Sequence, residues 1–580
     1  MTAYTHFYID KNNHTFADAL TTFGLATLLD DLLHKQDGRA GTISITDQGA
    51  YYLLTCAPAL QQATLLSLTV PLMLANFIRT PKNADKLPAG SENYSYDYET
   101  EKEAVNVYYA QLQAGVSRDE LTRPQHWDIL RAINPAALPG YNGLLANWWQ
   151  IHEAPGEVLQ LLFDLYAQTP NDYERAVMTW KALDKARGWG ISPLATGQQL
   201  YNPDQGKGQN RIKATGLSIG NVDGFWLTEF LKAVGFYESA MTRLVSGTKD
   251  RKTFVIAPRK LDFATNREVM NKFLKTMTAE TAARFDILAA LRYTDTLLEH
   301  LSDTPDGMAR LMQAKNIKQQ VVSGFFTAFY KDLGNAAATM NLAFIALPGW
   351  VIVNTEDDIP VYRALLDELI QFTRQFDESH SDAFTLLQYL RDFVSGDDLS
   401  AFFKFTSAFP AYLMGMRERG KYTRQFSVEF IERLLMSTDK KLSRILASEG
   451  FQNIAYAIRQ STITAQYRKG QGDRKYDVRY GLGQELTRKA RYPQDFIVQL
   501  SDFIHKYNAE NAQVMEHRSG PYRRSIQTSD IDQVVALIDE YGSETVANLL
   551  IAYGYARTST EKGTDARENE IEGTLIMEEE

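Results

Sequence analysis

Apolar residues recur at helical spacing early in the chain. Phe16, Leu20, Phe23, Leu28 and Leu32 share one face and Thr15 stands where an N-cap belongs, which predicts a helix from Thr15 to Lys35. Tyr4 to Asp10 before it reads as a strand, and Gly38 and Gly41 follow as breakers. Thr42 to Thr46 alternates like a half-buried strand, and Tyr51 to Thr55 follows the Asp47-Gln48-Gly49 turn, so the two should form a hairpin. From Arg79 to Glu103 the chain is polar and tyrosine-rich with Pro81 and Pro88, which predicts a long exposed loop before another helix. Further on, Asn221 to Phe236 reads as a helix whose Phe225, Trp226, Phe230 and Phe236 pack inward, and Thr253 to Ala257 as a strand.

From about Leu311 to Glu540 the pattern becomes helical, with amphipathic segments at Ile359 to Phe376, Phe384 to Val394, Ser427 to Met436 and Leu442 to Arg459. The expected fold class is therefore α+β: a mixed domain over residues 1–335, then a mainly α-helical bundle over 336–560. At 580 residues the chain exceeds what one core usually organises. Residues 561–580 hold eight acids against Lys562 and Arg567, the composition of a disordered tail. A net charge of −10 excludes a uniformly basic coat, so any nucleic-acid surface must be a local patch.

Cys56 is the only cysteine, which rules out an intrachain disulfide and every multi-cysteine zinc pattern; in an apolar strand it reads as an inert thiol. The N-terminus lacks the basic flank and apolar core of a secretory signal, and a reducing cytoplasm is the expected location. Residues 63–78 and 336–353 are apolar but contain Pro71 and Asn76, and Asn341, Pro348 and Gly349; both read as core.

Catalytic patterns are sparse. None of the nine histidines forms HExxH, and Gly206-Lys207-Gly208 lacks the spacing of a phosphate loop. Gly216-Leu-Ser218-Ile-Gly220 matches GxSxG, but the polar, basic residues before it do not make the apolar strand a nucleophile elbow needs. Asp357-Asp358 and Asp397-Asp398 could pair around magnesium, yet both sit where helix caps belong. No catalytic residue, metal site or cofactor is assigned, and binding is favoured over chemistry.

Basic residues cluster instead. Lys207, Arg211 and Lys213 lie among Gly206, Gly208, Gly216 and Gly220, with Gln209, Asn210 and Asn221 offering amides that suit base edges. Arg243, Lys249, Arg251, Lys252, Arg259 and Lys260 oppose only Asp250. A third stretch, Tyr456 to Tyr492, carries Arg459, Arg468, Lys469, Arg474, Lys475, Arg479, Arg488, Lys489 and Arg491 against three acids, with Tyr456, Tyr467, Tyr476, Tyr480 and Tyr492 interleaved. Stacking aromatics beside phosphate-neutralising charges suit a nucleic-acid strand. Solvated turns and a charged helical face are the competing readings.

Gly206 to Val222 (GKGQNRIKATGLSIGNV), running into Gly224 to Ser239 (GFWLTEFLKAVGFYES) and Thr248 to Arg259 (TKDRKTFVIAPR), resembles the large subunit of type I CRISPR surveillance complexes (Cascade). Phe451 to Ile463 (FQNIAYAIRQSTI) and Tyr476 to Pro493 (YDVRYGLGQELTRKARYP) resemble the C-terminal part of one branch of that family. The resemblance implies a non-catalytic antiviral subunit at the 5′ end of the guide RNA, which reads the protospacer-adjacent motif on double-stranded DNA and helps open the duplex. It implies Lys207, Gln209, Asn210, Arg211, Lys213 and Asn221 as contacts to the DNA motif or guide end. Arg243, Lys249, Arg251, Lys252, Arg259 and Lys260 would face the nucleic-acid backbone, and the nine basic residues of the third stretch would hold the displaced strand of the R-loop. Backbone and small subunits and a helicase-nuclease are the implied protein partners. The family also implies a C-terminal bundle like the small subunit, with Met436 as a candidate internal start. The rival readings are an RNA-binding scaffold of another ribonucleoprotein and a metal-dependent nuclease built on Asp357 and Asp358.

Overall fold

The computed structural model describes residues 3–38, 41–68, 72–117, 120–124, 126–133, 137–153, 155–204, 223–304, 307–309, 312, 316–334, 337–517 and 522–558. By contacts the chain divides into an N-terminal unit, Met1–Ala282 with Arg292–Leu347, and a C-terminal unit, Ala283–Leu291 with Pro348–Glu580. The fold is α+β, sheets first and helices after.

Two four-stranded antiparallel sheets organise the N-terminal unit. The first runs Ala3–Asp10, Tyr51–Gln61, Thr42–Asp47, Lys260–Asp262, and the hairpin read from the Asp47–Gly49 turn is its centre. The second runs Ala337–Ala346, Val322–Asp332, Arg251–Pro258, Ala240–Leu244. The expected first helix spans Phe16–Asp37, with the Thr15 hydroxyl accepting the Ala17 amide at 3.3 Å and Gly38 closing it in the left-handed region at φ 65°. It packs on Tyr51–Gln61 and on the helix Trp226–Ser239, so Phe16, Leu20, Phe23, Leu28 and Leu32 are all buried. Cys56 is buried too: its thiol donates to the Tyr4 carbonyl at 3.4 Å, and burial pushes its pKa up.

Two expectations change. Within Arg79 to Glu103 the chain is not one loop: Phe77–Arg79 pairs in parallel with Ser95–Asp97, and a helix begins already at Tyr98, capped by Asp97 accepting the Thr100 amide at 2.9 Å. The helical reading from Leu311 onward also starts too early, because Val322–Asp332 and Ala337–Ala346 form a hairpin on the second sheet. That hairpin carries the contact boundary to Leu347/Pro348, beyond the expected residue 335. The apolar stretch at 336–353 is thus mostly strand, and no helix among the described residues is long and apolar enough to cross a membrane.

The C-terminal unit is helical. Asp358–Arg374, Ser381–Gly396 and Val428–Thr438 match the periodic segments, and the fourth breaks at Ser448 into Ser443–Ala447 and Glu449–Ser461. An aromatic core holds the unit: Phe372 stacks on Phe426 with ring centroids 3.8 Å apart, and Phe405, Phe409 and Phe430 close around the pair. Glu378 accepts the Ala283 and Arg284 amides at 2.9 and 2.8 Å, a carboxylate at a helix N-terminus.

Candidate nucleic-acid interface

Lys207, Gln209, Asn210, Arg211, Lys213 and Asn221 lie outside the described residues, as does the 561–580 tail. The chain on either side of 205–222 is firmly built. Leu194–Thr196 pairs antiparallel with Asp223–Phe225. Beside this ribbon Lys232 Nζ bonds Glu229 Oε1 at 2.7 Å and Asn202 Oδ1 at 2.6 Å, while Asn202 Nδ2 donates to Glu229 Oε2 at 2.9 Å. All three side chains are buried, and each satisfies the others, which a buried charge pair requires. Composition gave no sign of this triad, because Glu229 and Lys232 sit among apolar helix residues and Asn202 reaches them from a separate turn.

The second basic group separates into two kinds. Lys249, Arg259 and Lys260 are exposed, although Arg259 already pairs with Asp47 at 3.1 Å. Arg243 and Lys252 are buried, which corrects their assignment to the nucleic-acid backbone. Arg243 Nη1 meets Asp128 Oδ2 at 2.7 Å, and its guanidinium donates to the Thr242 and Leu274 carbonyls. Lys252 Nζ donates to the Ala282 carbonyl at 3.2 Å. Arg251 is half-buried with its guanidinium on the Ala132 carbonyl at 3.3 Å. The six residues therefore do not form one continuous basic surface.

The third stretch keeps more of its charge outside. Arg459 is the correction here: it is buried on the helix Glu449–Ser461, Nε donating to the Ala556 carbonyl at 2.8 Å and Nη2 to that of Tyr553. It ties Tyr553 and Ala556 into the unit and is not available to a strand. Lys469 donates to the Tyr480 hydroxyl at 2.8 Å and lies 3.5 Å from Glu418, whose carboxyl is held low chiefly by the hydrogen bond from Tyr480. Lys489 pairs with Asp495 at 3.1 Å. Arg474, Arg488 and Arg491 are exposed, Arg468 and Lys475 half-buried. Tyr467 and Tyr492 are 53% and 59% exposed, whereas Tyr476 is buried, so the interleaved tyrosines divide between solvent and core. The exposed members are a smaller set than the sequence suggested: Arg474, Arg488 and Arg491 with Tyr467, Tyr480 and Tyr492.

Three of the four paired acids act as caps and turn ligands, while Asp357 stands at the N-cap of Asp358–Arg374 with no side-chain cap bond. Asp358 Oδ2 accepts the Asn354 and Thr355 amides, both at 2.8 Å, Asp397 Oδ1 the Gly349 amide at 2.6 Å, and Asp398 the Ser400 amide at 2.8 Å. Among the described residues no group of three or more His, Cys, Asp or Glu side chains is placed to hold a metal ion. Met436 is exposed near the end of Val428–Thr438; a polypeptide starting there would omit Phe430, Ile431, Leu434 and Leu435, all buried in the unit. Compared with protein-family models and with curated protein sequences, the chain matches none.

Proposed function

We propose that the chain is the non-catalytic large subunit of an RNA-guided DNA surveillance complex in the cytoplasm. It reads a short motif on double-stranded DNA, helps unwind the target and holds the displaced strand. Its partners are guide RNA, target DNA, backbone and small subunits, and a helicase-nuclease; it uses no cofactor. The observation that supports this reading best is the exposed arginine and tyrosine set of the C-terminal unit, on a chain whose net charge is −10. Stacking on sequence-tolerant aromatic faces beside phosphate-neutralising guanidiniums suits single-stranded nucleic acid.

The test is charge reversal at the exposed positions. The variant Arg474→Glu, Arg488→Glu, Arg491→Glu should bind single-stranded DNA more weakly than the parent. Its slope of log affinity against log salt should be shallower by about 2, the value for three lost phosphate contacts on a single strand. An unchanged affinity and slope would remove the track from these residues. Magnesium-dependent DNA cleavage by the purified chain would contradict the non-catalytic assignment.

A further inference from the structure

The segment between the helices Ile463–Gly470 and Leu482–Lys489 carries Arg474, Lys475 and Arg479, yet no helix or strand covers it. Beyond the Asp473 amide on the Arg468 carbonyl at 2.9 Å and the Arg479 amide on the Ser461 carbonyl at 2.8 Å, it is held by a side-chain cluster reached from the helix Pro493–His517 and from Arg523. The Arg523 guanidinium stacks on Tyr476, 3.6 Å from the ring centroid, with Tyr507 at 4.5 Å on the same cation. Its Nη2 donates to Glu510 Oε2 at 2.5 Å and its Nε to Asn511 Oδ1 at 2.9 Å. Glu510 is the second link: its Oε1 accepts the Asp477 amide at 2.6 Å, and its Oε2 lies 3.9 Å from Arg479 Nη2. One carboxylate therefore grips the segment's backbone with one oxygen and a buried guanidinium with the other. Arg523 has a side chain 1% exposed, so it cannot itself meet a ligand.

We infer that Arg523, acting with Glu510, is a positioning residue that presents Arg474, Lys475 and Arg479 in one fixed arrangement to a nucleic-acid strand. The fork geometry is essential. A lysine at 523 keeps the charge but cannot stack as a plane on Tyr476 while donating separately to Glu510 and Asn511. Ordering the segment beforehand removes an entropic cost that binding would otherwise bear. The ligand in this inference rests on the function proposed above; the clamp does not.

Two readouts on the full chain keep the two apart. Limited trypsin digestion reports cleavage after Arg474, Lys475 and Arg479. Arg523→Lys and Glu510→Gln should each raise the rate at these sites at least about tenfold, as expected when a charged hydrogen bond holding a local structure is lost. Two variants are used because one could fail to fold, and far-UV circular dichroism identifies that case. The second readout is a double-mutant cycle on single-stranded DNA binding, combining Arg523→Lys with Arg474→Gln, Lys475→Gln, Arg479→Gln. If Arg523 works through the segment, the combined variant binds no more weakly than the segment variant alone. Unchanged cleavage in a folded variant, or additive losses in the cycle, would overturn the inference. Faster cleavage in a chain that binds no nucleic acid would retain the clamp, overturn its role in binding, and count against the proposed function.

Discussion

Replacing Gly24 or Gly235 with alanine should lower the stability of the N-terminal unit by about 2 kcal/mol. The helices Phe16–Asp37 and Trp226–Ser239 approach so closely that a Cβ on Gly24 would fall inside the contact distance of the Leu231 carbonyl oxygen, and one on Gly235 inside that of Leu20. Neither obstacle is a flexible side-chain end, so a helix backbone must move. Overpacking of this kind costs typically about 3 kcal/mol at its upper end, and the helix propensity gained over glycine returns about 1 kcal/mol. Urea unfolding followed by tryptophan fluorescence reads the effect, because Trp148, Trp180 and Trp226 are buried in this unit. Stabilisation by either alanine, the usual outcome inside an exposed helix, would contradict the packing described. The same helix carries Glu229 and Lys232, whose side chains hold Asn202.

The second large effect is expected at Asp128. Its carboxylate receives Arg243 at 2.7 Å and Arg123 at 2.6 Å, and both it and Arg243 are buried. Asp128→Asn leaves two guanidiniums without their counter-charge and should cost about 3 to 5 kcal/mol. Arg243→Met in the same background removes one of the stranded cations, so the double variant should be more stable than Asp128→Asn alone. Denaturant midpoints of the three proteins decide this. If Arg243→Met instead weakened nucleic-acid binding with stability unchanged, Arg243 would belong to the surface after all.

The difference between Arg243 and an exposed arginine was hard to read from sequence. Strand parity usually tells inside from outside, but Ala240–Leu244 is covered on both faces, with Met241, Thr242 and Arg243 all buried. Alternation therefore carried no information there. Arg459 did leave a signal: Phe451 and Ala455 stand eight and four residues before it, which places it on the apolar stripe of its helix. Its basic neighbours in the sequence outweighed that spacing. By contrast the first helix was legible to its cap, because Thr15, the apolar spacing and Gly38 all agreed. The Arg523 cluster had no local pattern at all, since Tyr476, Tyr507 and Glu510 meet it from separate segments. Packed contacts between distant segments are the part of a site that periodicity and composition do not encode.

We propose that this chain works inside an RNA-guided complex and reads DNA without cutting it. The most direct measurement is to purify the tagged full-length chain from its native host, sequence the RNA that accompanies it and identify the co-purifying proteins by mass spectrometry. A subunit of an RNA-guided complex should bring with it short RNAs of uniform length with repeat-derived ends, together with a backbone subunit. A chain that arrives alone, or with unrelated structured RNA, would contradict it.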